Sequence, residues 1–446
     1  MTNLNRPQNT STGTGRRRFL STSAAGIAAT TAAPAILKAA PSDRVRVAVI
    51  GCGGQGKHHV SSVLSLAGHN VELAAICDVD QSRLAEAAKI APQAEAVSDL
   101  RRVVEDPQID AVIIATPDHW HATAGLLAVN AGKHAYIEKP VCHNIREGRL
   151  LLDAARRHKR VIQHGTQSRS SEGIRNAVQM LRDGLIGDVL VAKSWNWQRR
   201  RNIGHALPTD PPGNLDYDLW VGPAEYQPYQ ANRLHYNWHW WYGFGCGGFG
   251  NDGIHDVDYA LWGLGVDTHP ATVAGIGGKY HFDDDQEFPD TQQVTFEFPG
   301  EGGIGQRRML VYEQRLWSTN YPFNVDSGAE FIGTKGKMFL SKRGKIEILG
   351  ERNARITQKP DGQIGASVAS HQLNWIESIR NGGTPNADIE IAHRTATVVH
   401  LGNICTRVGR TLQFDPATEQ ITNDQEAAAL LSRRYRENHW AVPAEV

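Results

Sequence analysis

Two residues of this sequence could handle charge and protons at the oxygen of a reacting alcohol or carbonyl group. The first, Lys139, follows an apolar run and precedes Pro140, whose ring holds a turn. A lysine ammonium there could donate to a substrate hydroxyl or carbonyl oxygen and stabilise the charge that develops on it. A salt bridge with the neighbouring Glu138 is the structural alternative, and this motif alone leaves both roles open.

The second residue, His255, lies in the sequence GNDGIHDVD, which precedes an apolar helical stretch. Asn251 is a plausible N-cap of this helix and Gly265 a plausible stop. An imidazole with Asn251 and Asp252 close by could accept the alcohol proton and return it in the reverse reaction. The alternative is a cluster that only caps the helix, because acidic groups stabilise a helix N-terminus. We predict Lys139, His255, Asn251 and Asp252 as the catalytic residues.

A glycine-rich sequence, GCGGQG, follows the apolar run Val45–Ile50 and precedes a helical stretch. Gly51 permits a tight turn, Gly53 lets the backbone approach a pyrophosphate, and Gly56 lets the helix pack closely. The helix start offers free N–H groups and a positive dipole end to phosphates. Asp78 ends the next apolar run, 22 residues after Gly56. Its carboxylate could bind the adenosine ribose and would repel a 2′-phosphate, so the pattern predicts NAD and makes NADP less favoured.

The elements that must position these residues follow from residues 41–165, where short apolar runs alternate with helical stretches. This alternation predicts a doubly wound parallel sheet of the Rossmann type. Ligands of such sheets bind beyond the carboxyl ends of the strands. Those ends should bring together the predicted cofactor-binding residues Gly51, Gly53, Gly54, Gln55, Gly56, Asp78, Thr116, Pro117, His119, His121, Glu138 and Lys139.

From residue 166 onward the pattern changes. One helical stretch is followed by a long aromatic-rich segment, 198–250, and then by apolar or alternating runs without long helices between them. These runs predict an α/β domain with an open, mostly antiparallel sheet, against which helices at 372–380 and 389–407 could pack. We expect a leader at 1–40, an NAD-binding domain at 41–165, a substrate and oligomerisation domain at 166–415, and a polar tail at 416–446.

Seven of the eleven tryptophans lie between residues 195 and 262. Aromatic faces stack on the C–H faces of sugars, and polar groups beside them could bind hydroxyls. Filling the second core or an oligomer interface accounts for most of these aromatic residues equally well. His235 and His239 are four residues apart but lack further ligands of defined geometry, so we predict no metal site. The predicted substrate-binding residues are Arg169, Trp195, Asn237, His239 and His255.

Charge and cysteine content exclude some classes of function. Basic and acidic residues are equal at 47 each, which gives no case for nucleic acid as a partner. The five cysteines include no CxxC pair and no zinc-site spacing. We therefore expect buried thiols and no disulfide framework.

The first 40 residues contain five basic residues and no acid. The sequence RRRFL at 16–20 fits the twin-arginine pattern, and an alanine-rich stretch with a plausible cleavage site follows it. A disordered basic tail is the alternative. We expect the twin-arginine export machinery as a partner and a periplasmic or otherwise exported protein, folded around its NAD before it leaves the cytoplasm. No other run approaches the ~20 apolar residues that a membrane span requires.

The motifs GCGGQG, TPDHWH, GKHAYIEKP and GNDGIHDVD, together with Asp78, resemble those of the glucose–fructose oxidoreductase/inositol dehydrogenase/MocA (Gfo/Idh/MocA) family. The sequences DYDLWVGP, HYNWHWWY and HRTATVVHLGNI are similar to a bacterial branch that the twin-arginine system exports. The resemblance implies a Rossmann domain and an open antiparallel α/β sheet domain that often mediates oligomers, so we expect a homo-oligomer. It also implies NAD(P) chemistry on sugars or polyols, with Lys139 and His255 as the catalytic pair.

One position departs from the family pattern. Many members carry aspartate where this chain has Asn251, and an amide cannot stabilise an imidazolium as a carboxylate does. Asp252 or Asp256 could substitute for it, or the proton could take another route.

Three hypotheses follow from the sequence. The first is a hydride transfer between retained NAD and a secondary alcohol of a sugar, polyol or glycoside. The second is an NAD-dependent glycosidase that oxidises its substrate transiently, eliminates the leaving group, adds water and reduces the product. The third is a non-catalytic, exported sugar-binding protein.

Overall fold

The computed structural model describes residues 44–300, 305–365 and 367–444, which contain two β-sheets. The leader expected at 1–40 lies outside the described residues. Within the described ranges, no helix combines the length and apolar character needed to cross a bilayer.

The first sheet has six parallel strands in the order β3-β2-β1-β4-β5-β6. Its strands are β1 (Val45–Ile50), β2 (Val71–Cys77), β3 (Glu95–Val97), β4 (Ala111–Ile114), β5 (His134–Ile137) and β6 (Ile162–His164). The central strands are apolar throughout because helices cover both faces of the sheet. The strand order reverses between β1 and β4, and ligands of such sheets bind at that switch point.

The second sheet has nine strands in the order β13-β12-β11-β7-β10-β9-β8-β14-β15. Its strands are β7 (Val189–Asn196), β8 (Thr272–Gly278), β9 (Thr291–Phe298), β10 (Arg308–Arg315), β11 (Ser327–Gly333), β12 (Gly336–Leu340), β13 (Ile346–Gly350), β14 (Leu412–Asp415) and β15 (Gln420–Ile421). Neighbouring strands are antiparallel except β7 and β10, which pair in parallel. The predicted fold class is therefore confirmed.

The helices in chain order are α1 (Gly54–Ser65), α2 (Gln81–Ile90), α3 (Leu100–Glu105), α4 (Asp118–Asn130), α5 (Ile145–His158), α6 (Glu172–Arg182), α7 (Tyr217–Val221), α8 (Ile254–Leu264), α9 (Val368–Asn381), α10 (Ile389–Val408) and α11 (Gln425–Ala429). The late helix α9 packs Trp375 and Ile376 into the core formed by β1 and α1 on one face of the first sheet. Helices α4 and α5 cover the other face of the first sheet.

Helix α10 connects the cores of the two sheets. Near its N-terminus, Ile389 and Ala392 are buried with α4 and α5. Farther along, Val398 and Leu401 are buried with Phe296 and its neighbours in the core of the second sheet. Each of the larger side chains among these contributes roughly 1.5–3 kcal/mol when fully buried. The shared helix therefore fixes the two sheets in one compact unit.

The end of the chain takes part in the second sheet. Residues 420–421, in the segment expected to be a tail, form β15 and pair with β14. Just before it, Glu419 accepts a hydrogen bond from Arg149 and lies 2.9 Å from the Nε2 atoms of both His269 and His393. All five cysteines are buried and free, as expected.

We expect Glu419→Gln to lower the free energy of unfolding by ~2 kcal/mol at neutral pH, the usual scale for hydrogen bonds to a charged group. Burial disfavours the carboxylate, but its bonds with His269, His393 and Arg149 hold the pKa of Glu419 well below its usual range. A depressed folded-state pKa stabilises the fold above the unfolded value of about 4.3 and ceases to do so as the pH falls through the folded value. The difference from the unchanged chain in urea unfolding should therefore shrink at acid pH.

The matched control is Glu426→Gln, which breaks an exposed pair with Arg410. Such pairs are worth about 1 kcal/mol or less. Equal losses in the two variants would contradict a structural role for Glu419.

Candidate active site

A cavity of about 590 Å³ lies at the carboxyl ends of the first sheet, and residues before and within the first turn of α8 line its other side. Gly51, Asp78 and Lys139 line it from the first sheet. Asn251 and His255 line it from the second half of the chain. The structure thus brings the predicted cofactor-binding turn and the predicted catalytic pair to one cavity.

The glycine turn fits a pyrophosphate. Gly51 has a φ of +91°, and a Cβ there would lie 2.5 Å from the Ala115 carbonyl oxygen. A Cβ at Gly56 would overlap the Gly51 carbonyl oxygen, so the turn and α1 can only meet through glycines. The N-cap of α1, Gly53, has no side-chain cap, and a Cβ at Gly54 would meet open space. The N–H groups of this helix start are therefore free to bind an anion.

The Asp78 carboxylate is fixed beside this turn. It accepts hydrogen bonds from the Cys52 N–H at 2.6 Å and the Asp80 N–H at 2.8 Å. Burial raises the pKa of Asp78, although these two bonds and the charge of Arg83 oppose the rise. The lone pairs that remain can accept from hydroxyl groups in the cavity.

The Glu138 side chain bonds to Gln55 and His59 and not to the neighbouring lysine side chain. Its Oε1 atom accepts from Gln55 Nε2 at 3.0 Å and lies 2.9 Å from His59 Nε2. Burial opposes its ionisation, but the bond with His59 and the charge of Lys139 hold the pKa of Glu138 well below its usual range. The Lys139 ammonium instead donates to Asn251 Oδ1 at 3.1 Å. The alternative role of Lys139, a salt bridge with Glu138, is thus not what the structure shows.

The turn after β4 is tied to the turn that carries Lys139. The ring of His121 lies 2.8 Å from the Thr116 carbonyl oxygen and 2.6 Å from that of Pro140. Burial lowers the pKa of His121. Thr116 Oγ1 is buried and has no hydrogen-bond partner within the described residues, which leaves it free for a ligand. Pro117 also lines the cavity.

The helix start around His255 differs from the sequence prediction in one respect. Residues Phe249–Gly253 form a π-helical turn ahead of α8, a feature that recurs at functional sites. Asn251 lies inside this turn, so its predicted N-cap role is wrong. Its side chain bonds instead to Lys139 and, through Nδ2, to Tyr236 Oη at 3.0 Å. Gly265 ends α8 with a φ of +74°, as predicted.

His255 lies in the first turn of α8, and no described residue hydrogen bonds to its ring. Burial lowers the pKa of His255 well below its usual value, and the charges of Lys342 and Lys139 lower it further. Lys342 itself is held by Asp256 at 2.8 Å. The imidazole is therefore neutral near pH 7 and able to accept a proton. Asp252 faces the same cavity but forms an ion pair with Arg200.

Four predicted residues do not line this cavity and bond or stack elsewhere. The ring of His119 lies 2.9 Å from the Trp220 carbonyl oxygen. Arg169 donates to both carboxylate oxygens of Asp258, at 3.0 and 2.8 Å. Trp195 stacks on Phe339 in a separate aromatic cluster. Asn237 donates to the Asn232 carbonyl oxygen at 2.8 Å.

His239 does line the cavity, where it stacks on Trp238. Sequence reasoning missed Trp238 and Tyr236, although the aromatic-rich segment signalled their neighbourhood. It also missed Asp118, a buried carboxyl in the cavity wall whose Oδ2 has no partner in the described part of the chain. Burial raises the pKa of Asp118 to about 7. Its position at the start of α4 resembles an ordinary helix N-terminus, and so it gave no signal.

The chain is similar to known dehydrogenases and, over a shorter stretch, to a glycosidase. Inositol 2-dehydrogenase 2 of Saccharopolyspora erythraea is 29% identical over 302 residues, which are 66% of this chain and 73% of that protein. Alpha-N-acetylgalactosaminidase of Shewanella oneidensis is 32% identical over 158 residues, 33% of each protein. The fold of a levoglucosan dehydrogenase, solved with NADH and levoglucosan, matches with a TM-score of 0.64 at 18% identity, covering 83% of this chain and 99% of that one.

Two family models also match. The model of the oxidoreductase family's NAD-binding Rossmann fold covers residues 45–166. The model of the same family's C-terminal alpha/beta domain covers residues 174–442. The second match alone spans more than half of the chain, which therefore belongs to the Gfo/Idh/MocA family of NAD(P)-dependent oxidoreductases.

Proposed function

We propose that this protein transfers hydride between tightly bound NAD and a secondary alcohol of a sugar, polyol or glycoside. The observation that carries the proposal is the meeting of Lys139 and His255 in the cavity that the glycine turn and Asp78 also line. Inositol 2-dehydrogenase 2 and levoglucosan dehydrogenase, which this chain resembles, support the substrate class by name.

The residues divide the chemistry between them. Bound NAD supplies the acceptor for the hydride that leaves the alcohol carbon. Lys139, fixed by Asn251, donates to the alcohol oxygen and stabilises the charge that grows on it. His255, neutral because of burial and two nearby ammonium groups, accepts the hydroxyl proton. In the reverse direction the same imidazolium returns the proton to the oxygen.

Contacts beside Asp78 support a cofactor that stays bound. Asp80 accepts from Asn214 Nδ2 at 3.0 Å and lies 2.9 Å from His235 Nε2. The Gln81 N–H donates to the Asn214 carbonyl oxygen at 2.9 Å. The segment that carries Asn214 and His235 thus lies across the edge of the cavity where Asp78 would hold the ribose. We propose that these contacts slow the release of a bound dinucleotide.

A second candidate is the NAD-dependent glycosidase. It uses the same hydride step and proton acceptor, and the likeness to an alpha-N-acetylgalactosaminidase favours it. Because that likeness covers 33% of each protein, we keep the dehydrogenase as the first proposal.

We also propose that the protein is exported in the folded state by the twin-arginine pathway. The motif at 16–20 supports this route, since a cofactor loaded in the cytoplasm can cross only inside a folded protein.

Lys139→Met and His255→Ala should each lower the rate of reduction of bound NAD by a sugar or polyol by about 10²-fold or more, because each removes a group that handles charge or protons. The rate is measured by nicotinamide absorbance after mixing with a panel of sugars and polyols, at equal NAD content. Lys193→Met, an exposed change on β7, is the control and should keep the full rate.

Release of an aglycone from a chromogenic glycoside without net NADH would select the glycosidase. An intact preparation that contains no NAD and binds none would refute both reactions.

Asp78→Ser should reduce the preference for NAD over NADP by about tenfold or more, because it removes a negative charge that would face the 2′-phosphate. The ratio of the two nucleotides bound from an equimolar mixture measures this preference. Glu72→Ser, on the strand that ends just before Asp78, should leave the ratio unchanged. Unchanged selectivity in Asp78→Ser would refute the assignment of this carboxylate to the ribose.

Replacement of Arg16, Arg17 and Arg18 by lysine should keep the protein in the cytoplasm. Cell fractionation of the producing bacterium measures the distribution. The same exported fraction with and without the three changes would contradict the proposed route.

A further inference from the structure

Asn251 bonds to two groups in the cavity wall, one of which can only donate and one of which can donate or accept. Its Oδ1 atom lies 3.1 Å from Lys139 Nζ, and its Nδ2 atom lies 3.0 Å from Tyr236 Oη. An ammonium group has three donors and no acceptor. The carbonyl end of the amide must therefore face Lys139, and the NH₂ end must face the phenol.

This orientation decides where the phenol proton points. Because Asn251 Nδ2 donates to Tyr236 Oη, that oxygen is the acceptor in the bond, and its own O–H must point elsewhere. The guanidinium of Arg200, whose Cζ lies 5.7 Å from the centre of the Tyr236 ring, is a second group that can only donate. Neither neighbour can take the phenol proton. Tyr236 lines the cavity, and its O–H is therefore available to a ligand that binds there.

We propose that Asn251 orients Tyr236 as a second hydrogen-bond donor, beside Lys139, to the reacting oxygen of the substrate. This inference rests on the proposed function. The phenol keeps its proton throughout, and His255 remains the group that accepts the proton of the alcohol. Two preorganised donors aimed at one oxygen stabilise the negative charge that develops there as hydride leaves the carbon. Tyr236 is then a catalytic residue and Asn251 its positioning residue.

The same geometry explains what an aspartate would do at position 251. A carboxylate is an acceptor only, so it would take hydrogen bonds from both Lys139 and Tyr236. The phenol proton would turn from the cavity toward the carboxylate, and the substrate oxygen would lose one donor. The amide of Asn251 therefore keeps a second donor for the substrate oxygen, whereas the sequence alone suggested that Asn251 weakens the site.

Kinetics provide the first part of the test, with four forms of the full-length holoprotein: the unchanged chain, Tyr236→Phe, Asn251→Asp and the double variant. We expect kcat to fall by about 10²-fold in each single variant, the usual cost of one such donor, with KM changed by less than about threefold. The double variant should be no slower than the single variants, because both remove the same donor. Tyr280→Phe, at an exposed tyrosine outside the cavity, should match the unchanged chain. Full kcat in Tyr236→Phe, or additive losses in the double variant, would overturn the inference.

A spectroscopic measurement provides the second part and needs no turnover. The difference in ultraviolet titration between a protein and its Tyr236→Phe counterpart reports phenolate formation at Tyr236 alone. In the Asn251→Asp background the midpoint of this difference should move to higher pH by at least about one unit, because a carboxylate replaces a donor to the oxygen. Coincident titrations in the two backgrounds would show that the amide does not orient the phenol. If the unchanged chain transfers no hydride at all, the proposed function fails, and the titration still decides this inference.

Discussion

The hydrogen bond between the Lys139 ammonium and the Asn251 side chain holds the site together. It joins the turn after β5, which belongs to the first sheet, to the π-helical turn before α8, which belongs to the second. Further contacts hold both turns in place. His121 ties the Lys139 turn to the neighbouring turn after β4, and α10 holds the cores of the two sheets together. Without this bond the ammonium would have no fixed direction relative to His255.

Burial acts differently on the charged groups around this bond. Glu138 stays ionised because Gln55 and His59 satisfy its carboxylate and Lys139 lies nearby. His255 receives no such partner from the described residues, and burial together with nearby ammonium groups keeps it neutral. The buried charge of Glu138 is therefore stable because hydrogen bonds satisfy it. His255, which has no such bonds, stays neutral and is available as a base. This division of roles follows from the contacts of each residue rather than from its type.

Local sequence predicted the features that depend on local geometry. The glycine turn and Asp78 are set by a strand, a tight turn and a helix start within about 30 residues, so their spacing alone located the cofactor cavity. Strands β1 to β13 were likewise readable from apolar or alternating runs, whereas β14 and β15, near the end of the chain, were not. The role of Asn251 was not readable, because its side-chain partners, Lys139 and Tyr236, lie 112 and 15 residues away. Arg169 and Trp195 look like sugar-binding residues by type, but Asp258 and Phe339 bury them elsewhere.

The most direct test of the whole account is a crystal structure with NAD and a polyol or sugar that reduces it. We expect a nicotinamide ring in the cavity, with the reacting oxygen of the substrate about 3 Å from both Lys139 Nζ and a ring nitrogen of His255. A nicotinamide seated elsewhere, or a substrate oxygen that contacts neither side chain, would contradict it.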